Sequence, residues 1–288
     1  MKILILGANG MLGNSIYRYF RNRYEVKAVS RSKSWTEEVV SGYDINDISK
    51  FSDLIEDFKP QVVVNCIGII KQLKDSKNSI KSIATNSLWP HQLVELCAKS
   101  DTKVIHFSTD CVFDGKEGSY TENDKPNSQD LYGLSKRLGE LTEDKNALTL
   151  RTSIIGHELN SSVSLIDWFL SQDTECQGFK KAIYSGFPTI SIAKIIDKYI
   201  LKALLNNEIY GLYHLSSEPI SKFELLNLVA KEYGKEIDIK ENNDFIIDRS
   251  LDSSRLQNKL NFSPNSWENY IKEMYTDFLE ISKIRDNL

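Results

Sequence analysis

Short β-branched runs alternate with helically spaced apolar residues through the first half of the chain. Ile3, Leu4, Ile5 and Leu6 are consecutive, so Lys2–Leu6 reads as a strand buried on both faces. Met11–Arg23 follows with helical spacing, and Glu25–Ser30 reads as a second strand. In Asn46–Phe58, the residues Ile48, Phe51, Leu54, Ile55 and Phe58 form one helical stripe, closed by Pro60. Gln61–Cys66 predicts a strand, Ile80–Lys99 a long helix, Lys103–Phe107 a strand, Tyr132–Glu143 a helix and Ala147–Arg151 a strand. Strands and helices that alternate with short loops predict an α/β fold, a doubly wound parallel sheet with right-handed crossovers.

The second half changes character. Val163–Ser171 and Ile192–Leu205 read as helices and Gly211–Ser216 as a strand. Ser221–Tyr233 reads as a helix opened by a capping box, Ser221 with Glu224 three residues on, and Asn265–Ile284 as a closing amphipathic helix. No repeat or flexible linker separates the halves. The expected division is a sheet domain over 1–152 plus about 190–216, and a smaller C-terminal α/β lobe over about 153–189 and 217–288, packed above the sheet's carboxyl edge.

Composition narrows the function. A chain of 288 residues buries a core without staples. The net charge is −4 and no Lys/Arg block occurs, which argues against nucleic acid as a partner. Cys66, Cys97, Cys111 and Cys176 lack C-x-x-C spacing, as expected of reduced thiols in a cytoplasmic protein. The first apolar run is four residues long and stops at Gly7, unlike a signal peptide, and no run approaches the length of a membrane span. The expectation is a soluble, unprocessed protein.

Gly7-x-x-Gly10-x-x-Gly13 follows a strand and opens a helix, the context that gives a glycine pattern its meaning. Gly7 permits the turn, Gly10 the approach of a pyrophosphate, and Gly13 close helix–strand packing; Asn9, Met11 and Leu12 complete the turn. The helix N-terminus offers N–H groups to the phosphates. A Rossmann-type dinucleotide site is therefore expected. The second strand ends in Ser30-Arg31-Ser32-Lys33, with no acid for a ribose 2′-hydroxyl. Arg31 suits a 2′-phosphate, which favours NADPH, with NADH left open; a solvated basic loop is the plainer alternative. Asp44 and Ile45 are placed at the adenine edge, against an exposed turn aspartate. Asn65, Cys66, Ile67 and Gly68 are expected to line the cofactor channel.

Tyr132 and Lys136 are four residues apart and share one helix face. An ammonium beside a phenol favours the phenolate, so the tyrosine pKa is expected below its usual value of about 10. Thr109 or Ser108, at the end of the preceding strand, is placed to hold a carbonyl oxygen. Tyr132 delivers a proton to that oxygen while the nicotinamide delivers hydride to the carbon. These groups suit ketone reduction.

At these residues the chain resembles the extended short-chain dehydrogenase/reductases, and within them the dTDP-4-dehydrorhamnose reductase group. The match comprises Ser108-Thr109-Asp110-Cys111-Val112-Phe113-Asp114-Gly115, Tyr120-x-Glu122-x-Asp124, Tyr132-Gly133-x-Ser135-Lys136, Gly139-Glu140, Leu150-Arg151-Thr152-Ser153, Gly186-x-Pro188-Thr189 and Arg249-x-Leu251-x-Ser253. The resemblance implies reduction at C4 of a nucleotide-diphospho-4-keto-6-deoxy-hexose for surface polysaccharide biosynthesis. It assigns catalysis to Thr109, Tyr132 and Lys136, and places Asn86 and Ser108 at the cofactor. Lys71, Thr109, Asp110, Val112, Phe113, Ser153 and Arg249 fall to the substrate; Arg249 and Arg255 are weaker candidates for its diphosphate, against surface arginines in ordinary ion pairs. Ile154-Ile155-Gly156-His157 and Asn65-Cys66-Ile67-Gly68-Ile69-Ile70-Lys71-Gln72 depart from the family pattern where the hexose sits. Both dTDP-4-dehydrorhamnose and a UDP-linked N-acetyl-4-keto-6-deoxy sugar therefore stay open. The resemblance also implies a homodimer. His91, His106, His157 and His214 show no metal spacing, so no metal is expected. Alternatives on the same scaffold are an epimerase or dehydratase, and a non-catalytic NADP-binding regulatory subunit.

Overall fold

The computed structural model describes residues 1–71, 77–159 and 163–286; Gln72 lies outside them. Along the chain run β1 (Lys2–Leu6), α1 (Met11–Phe20), β2 (Glu25–Val29), β3 (Val39–Val40), α2 (Ile48–Phe58) and β4 (Val62–Asn65). Next come α3 (Ser79–Ser82), a π-helical turn (Ile83–Leu88), α4 (Trp89–Ala98), β5 (Lys103–Thr109), α5 (Leu131–Leu138) and β6 (Ala147–Thr152). These strands and a later one, Gly211–His214, form a seven-stranded sheet whose paired neighbours are all parallel. The architecture is the α/β, Rossmann-type one.

Alternation along each strand sorts the core into two layers. Ile3, Ile5, Val62, Val64, Ile105 and Phe107 join the layer beneath α1, which supplies Leu12, Ile16 and Phe20. Leu4, Leu6, Val63 and Val104 face the other way, against Phe51, Leu54 and Ile55 of α2 and Trp89 and Leu93 of α4. Burial on both faces is why these strands read as continuous apolar runs. β1 lies between β2 and β4, so successive connections leave it in opposite directions. The carboxyl ends of β1 and β4 thus flank a topological switch point, where such sheets open a crevice.

Two expected helices differ in a way that shapes that crevice. The segment 80–99 is a helix interrupted at Ile83–Leu88 by a π turn. Pro90 has no N–H, so the carbonyl of Asn86 receives no α-helical bond from it. Gly139 packs against that carbonyl: a Cβ there would lie 1.9 Å from the Asn86 oxygen. This contact ends α5 at Leu138, five residues before the expected Glu143, and turns Glu140 inward.

The rest of the chain supplies β7 (Ile154–Ile155), α6 (Leu165–Leu170), β8 (Glu175–Phe179), β9 (Ala182–Tyr184), β10 (Phe187–Pro188), α7 (Thr189–Ile195) and α8 (Leu201–Leu205). It ends with β11 (Gly211–His214), β12 (Ile220–Ser221), α9 (Lys222–Tyr233), β13 (Asp238–Asn242), β14 (Ile247–Asp248), α10 (Ser254–Leu260) and α11 (Trp267–Arg285). The capping box at Ser221 and Glu224 forms as read. Short strands β12, β9 and β14 make a small sheet, with β9 in the middle. Arg18 of α1 forms a buried ion pair with Asp277 of α11, at 2.6 Å and 2.8 Å, which ties the last helix to the first. Among the described residues no helix is long and apolar enough to cross a membrane.

Candidate active site

The glycine turn leaves β1 at Gly7, whose φ of +82° is left-handed. A Cβ on Gly13 would stand 2.2 Å from the Gly7 oxygen, so only glycine lets α1 start this close to the strand. Gly10 caps α1 without a side chain, and the first-turn N–H groups of Met11, Leu12 and Gly13 receive no cap from it. Asn9 donates to the carbonyls of Ser32 and Lys33, both at 3.1 Å. Its Oδ1 is buried with no hydrogen-bond partner among the described residues. An open helix start and an orphaned acceptor in a glycine cradle fit a dinucleotide.

The loop after β2 is held by the buried Ser30, whose hydroxyl donates to the Ser32 carbonyl at 2.7 Å. Arg31 is exposed beside it. Tyr43 donates its backbone N–H to Ser30, which brings Asp44 and Ile45 to this rim. Asp44 is an Asx turn, accepting from the Asn46 backbone at 3.0 Å and side chain at 2.6 Å, and Ile45 packs on the core.

At the end of β4 the expected lining is only partly present. Asn65 turns inward: it bonds His106 at 3.1 Å and accepts from the Trp89 indole at 3.3 Å and the Ile67 N–H at 3.2 Å. Its side chain shapes the turn and does not face the channel. Ile67 likewise packs on the core, and burial pushes the Cys66 thiol up. Gly68 does face the crevice, where a Cβ would lie 3.5 Å from Asn86 Oδ1 and 3.9 Å from Lys136 Nζ. Asn86 accepts from Ile69 N–H at 2.9 Å and donates to Ile69 O at 3.0 Å and Ser135 Oγ at 3.2 Å. It fastens the β4 loop to α5.

β5 delivers Ser108 and Thr109 to the same place, with opposite orientations. The Ser108 hydroxyl donates to Glu140 at 2.7 Å, inside a buried network, and is not free for a ligand. Glu140 takes both arms of Arg151 at 2.7 Å, and Arg151 reaches His214 at 3.2 Å. Thr109 accepts from the Cys111 N–H and donates to Asp110, both at 3.1 Å. Its hydroxyl is also a neighbour of the Tyr132 phenol.

The sequence expectation for the phenol needs correction. Burial raises the Tyr132 pKa, the neighbouring Cys111 and Asp110 add to the rise, and the Thr109 hydroxyl opposes it. Lys136 is not among the main groups that set it, and its ammonium donates to the Phe107 carbonyl at 2.6 Å. Burial also pulls Lys136 down to about 8. Spacing put both residues on one helix face, but a strand carbonyl outcompeted the phenol for the cation.

Among the residues expected at the substrate, Val112 and Phe113 turn their side chains into a small buried cluster with Tyr120 and Leu251. Both are buried, and Phe113 stacks on Tyr120 with centroids 4.1 Å apart. Lys71 pairs with Asp130, the N-cap of α5, at 2.8 Å. Asp110 is buried and its carboxyl is raised by that burial, against the pull of Arg249. Arg249 follows β14, donates to the Phe113 carbonyl at 2.9 Å and approaches the Cys111 sulfur at 3.5 Å. Ser153 lies half-buried beside Tyr184. Arg255 stands apart, over the Tyr213 ring at 4.4 Å.

Sequence reading missed Lys222 and Tyr184. The Lys222 ammonium sits 4.2 Å from the Tyr184 ring centroid and is pushed down to about 8 by burial, while Asp110 and Cys111 oppose the fall. The available signal was a cation on the first residue of a helix, where the dipole disfavours it.

Residues 1–280 match the family described as RmlD substrate binding domain. A dTDP-4-dehydrorhamnose reductase of Aggregatibacter actinomycetemcomitans is 30% identical over 227 residues, 76% of this chain and 74% of its own. The methionine adenosyltransferase 2 subunit beta of Danio rerio is 27% identical over 249 residues, 81% of this chain and 74% of its own. The solved dTDP-4-dehydrorhamnose reductase of Bacillus anthracis, in complex with NADP, has the same fold: the TM-score is 0.80 at 20% identity, covering 96% of this chain and 99% of that one.

Proposed function

The chain belongs to the RmlD substrate binding domain family, and from that membership we propose that it reduces a sugar nucleotide with NADPH. The substrate class is a nucleotide-diphospho-4-keto-6-deoxy-hexose, reduced at C4 for surface polysaccharide biosynthesis. Residues 1–152 with about 190–216 hold the cofactor, and about 153–189 with 217–288 hold the sugar nucleotide. The observation that carries the reading is convergence: Tyr132, Thr109, Gly68 and Lys136 meet at the carboxyl ends of β4 and β5, beside the glycine turn.

The bound nicotinamide supplies the hydride. Thr109, whose hydroxyl donates to Asp110 and accepts from the Cys111 N–H, would turn that proton from Asp110 to the ketone oxygen when the substrate binds. A phenol with a raised pKa keeps its proton at neutral pH and releases it only to a strong base, such as the alkoxide that forms at C4. Lys136, fixed on the Phe107 carbonyl beside Gly68, would hold the nicotinamide end of the cofactor. The exposed Arg31 and the absence of an acid in residues 30–33 support NADPH over NADH. Both dTDP-4-dehydrorhamnose and UDP-linked N-acetyl-4-keto-6-deoxy sugars remain in the proposal. A homodimer is kept with it, to be checked by sedimentation.

The test is NADPH oxidation against a panel of dTDP- and UDP-linked 4-keto-6-deoxy sugars. Tyr132→Phe is expected to lower kcat by about 10²–10⁴-fold while NADPH affinity stays. A fully active variant removes Tyr132 as the proton donor. The likeness to a methionine adenosyltransferase beta subunit favours one other reading, a cofactor-binding regulatory subunit. Tight NADPH binding without turnover of any sugar on the panel would establish that one.

A further inference from the structure

The small sheet brings three side chains to one wall of the crevice. Tyr184 ends the middle strand β9, Arg249 follows the end of β14, and Lys222 follows the end of β12. Asp110 and Cys111, in the turn just after β5, are the groups these side chains face. Arg249 spends its Nε on the Phe113 carbonyl and turns Nη1 to the Cys111 sulfur. Lys222 has the ring face of Tyr184 beneath it and, among the described residues, no carboxylate within ion-pair distance.

We propose that Lys222 is a substrate-binding cation that, together with Arg249, holds the diphosphate of the sugar nucleotide. The inference rests on the reductase reading above. Three cations here, Lys222, Arg249 and Lys71, face two carboxylates, Asp110 and Asp130. On that reading the hexose is uncharged, so the diphosphate is the anion available to balance the excess. Burial costs the Lys222 ammonium its hydration, and its position at the first residue of α9 places it at the positive end of the helix. A diphosphate replaces the lost water with anionic acceptors and offsets both penalties. Packing of the lysine stem on Tyr184 explains its course but not a charged end left without an anion.

The experiment titrates UDP and dTDP calorimetrically into the protein saturated with NADP⁺, comparing the native chain with Lys222→Met and Lys222→Arg. Lys222→Met is expected to weaken the nucleoside diphosphate that the native chain binds by about ten-fold or more, and Lys222→Arg by less than about three-fold. NADP⁺ affinity, the thermal midpoint and the weak affinity for uridine or thymidine should stay as in the native chain. If Lys222→Met melts early, Lys222→Gln carries the same comparison. Equal diphosphate affinity in Lys222→Met and the native chain overturns the assignment alone. An equal loss for the free nucleosides also overturns it, placing Lys222 at the base. A native chain that binds neither UDP nor dTDP overturns the reductase reading and this inference with it.

Discussion

Replacing Glu140 by alanine removes the counter-charge of a guanidinium that sits behind the site. Arg151 gives Glu140 two bonds of 2.7 Å, and both side chains are 3% exposed. What remains for Arg151 is His214, at 3.2 Å through Nη1. Burial and the Arg151 charge pull His214 down to about 4, so it stays neutral at pH 7 and offers no charge compensation. The Phe113 ring, 5.3 Å from the guanidinium, adds a weak cation–π contact. Breaking a buried pair from one side costs about 3–5 kcal/mol. For a chain of this size that lowers the thermal midpoint by about 6–10 °C, taking roughly 2 °C per kcal/mol. Ser108 loses its acceptor in the same step, one residue before Thr109, so turnover should fall further than NADP⁺ affinity. The control is the double variant Glu140→Leu/Arg151→Met, which removes both members of the pair and should recover at least half of the lost midpoint. Thermal melts followed by circular dichroism read both. A shift below about 2 °C for Glu140→Ala, or a double variant that melts below the single one, would refute the reasoning.

Three further outcomes follow from the same contacts. Gly13→Ala puts a methyl 2.2 Å from the Gly7 oxygen, so the turn must open; NADPH affinity by fluorescence titration should drop at least ten-fold, and an unchanged affinity would contradict a cofactor at this turn. Arg18→Met strands the buried Asp277, whose side chain is 6% exposed, and should cost about 3–5 kcal/mol in urea unfolding, with release of α11 from α1 seen in hydrogen exchange. Asp167 is held below its usual pKa: burial raises it, but hydrogen bonds from His157, the Glu158 backbone and Arg285 outweigh that. Its folded value lies below its unfolded value of about 3.9, so its contribution is complete above that pH and is lost as pH falls through the folded value. The gap in midpoint between the native chain and Asp167→Asn should therefore close on acidification below about pH 4, and a gap that widens there would exclude it.

The elements of the nucleotide-binding half were legible because their signals are local. A strand buried on both faces must be apolar throughout, and Lys2–Leu6 appears with its expected bounds. A capping box needs four residues, and Ser221 with Glu224 forms one. The two-residue strands β3, β7, β10, β12 and β14 were missed, since two residues carry no period. At the site, chain order brought Thr109, Tyr132 and Lys136 to one crevice, but side-chain direction was not written there.

Local spacing was enough to set the parallel sheet, the glycine turn and the chain order of Thr109, Tyr132 and Lys136. Where the polar groups turn depended on packing between distant segments. Asn65 goes to His106 and Trp89, Ser108 to Glu140, Lys136 to the Phe107 carbonyl and Arg249 to the Phe113 carbonyl, across separations of 24 to 136 residues. The reason is energetic: a buried donor or acceptor takes whichever partner packing brings within about 3 Å, because leaving it unpaired costs more than the helix face it abandons.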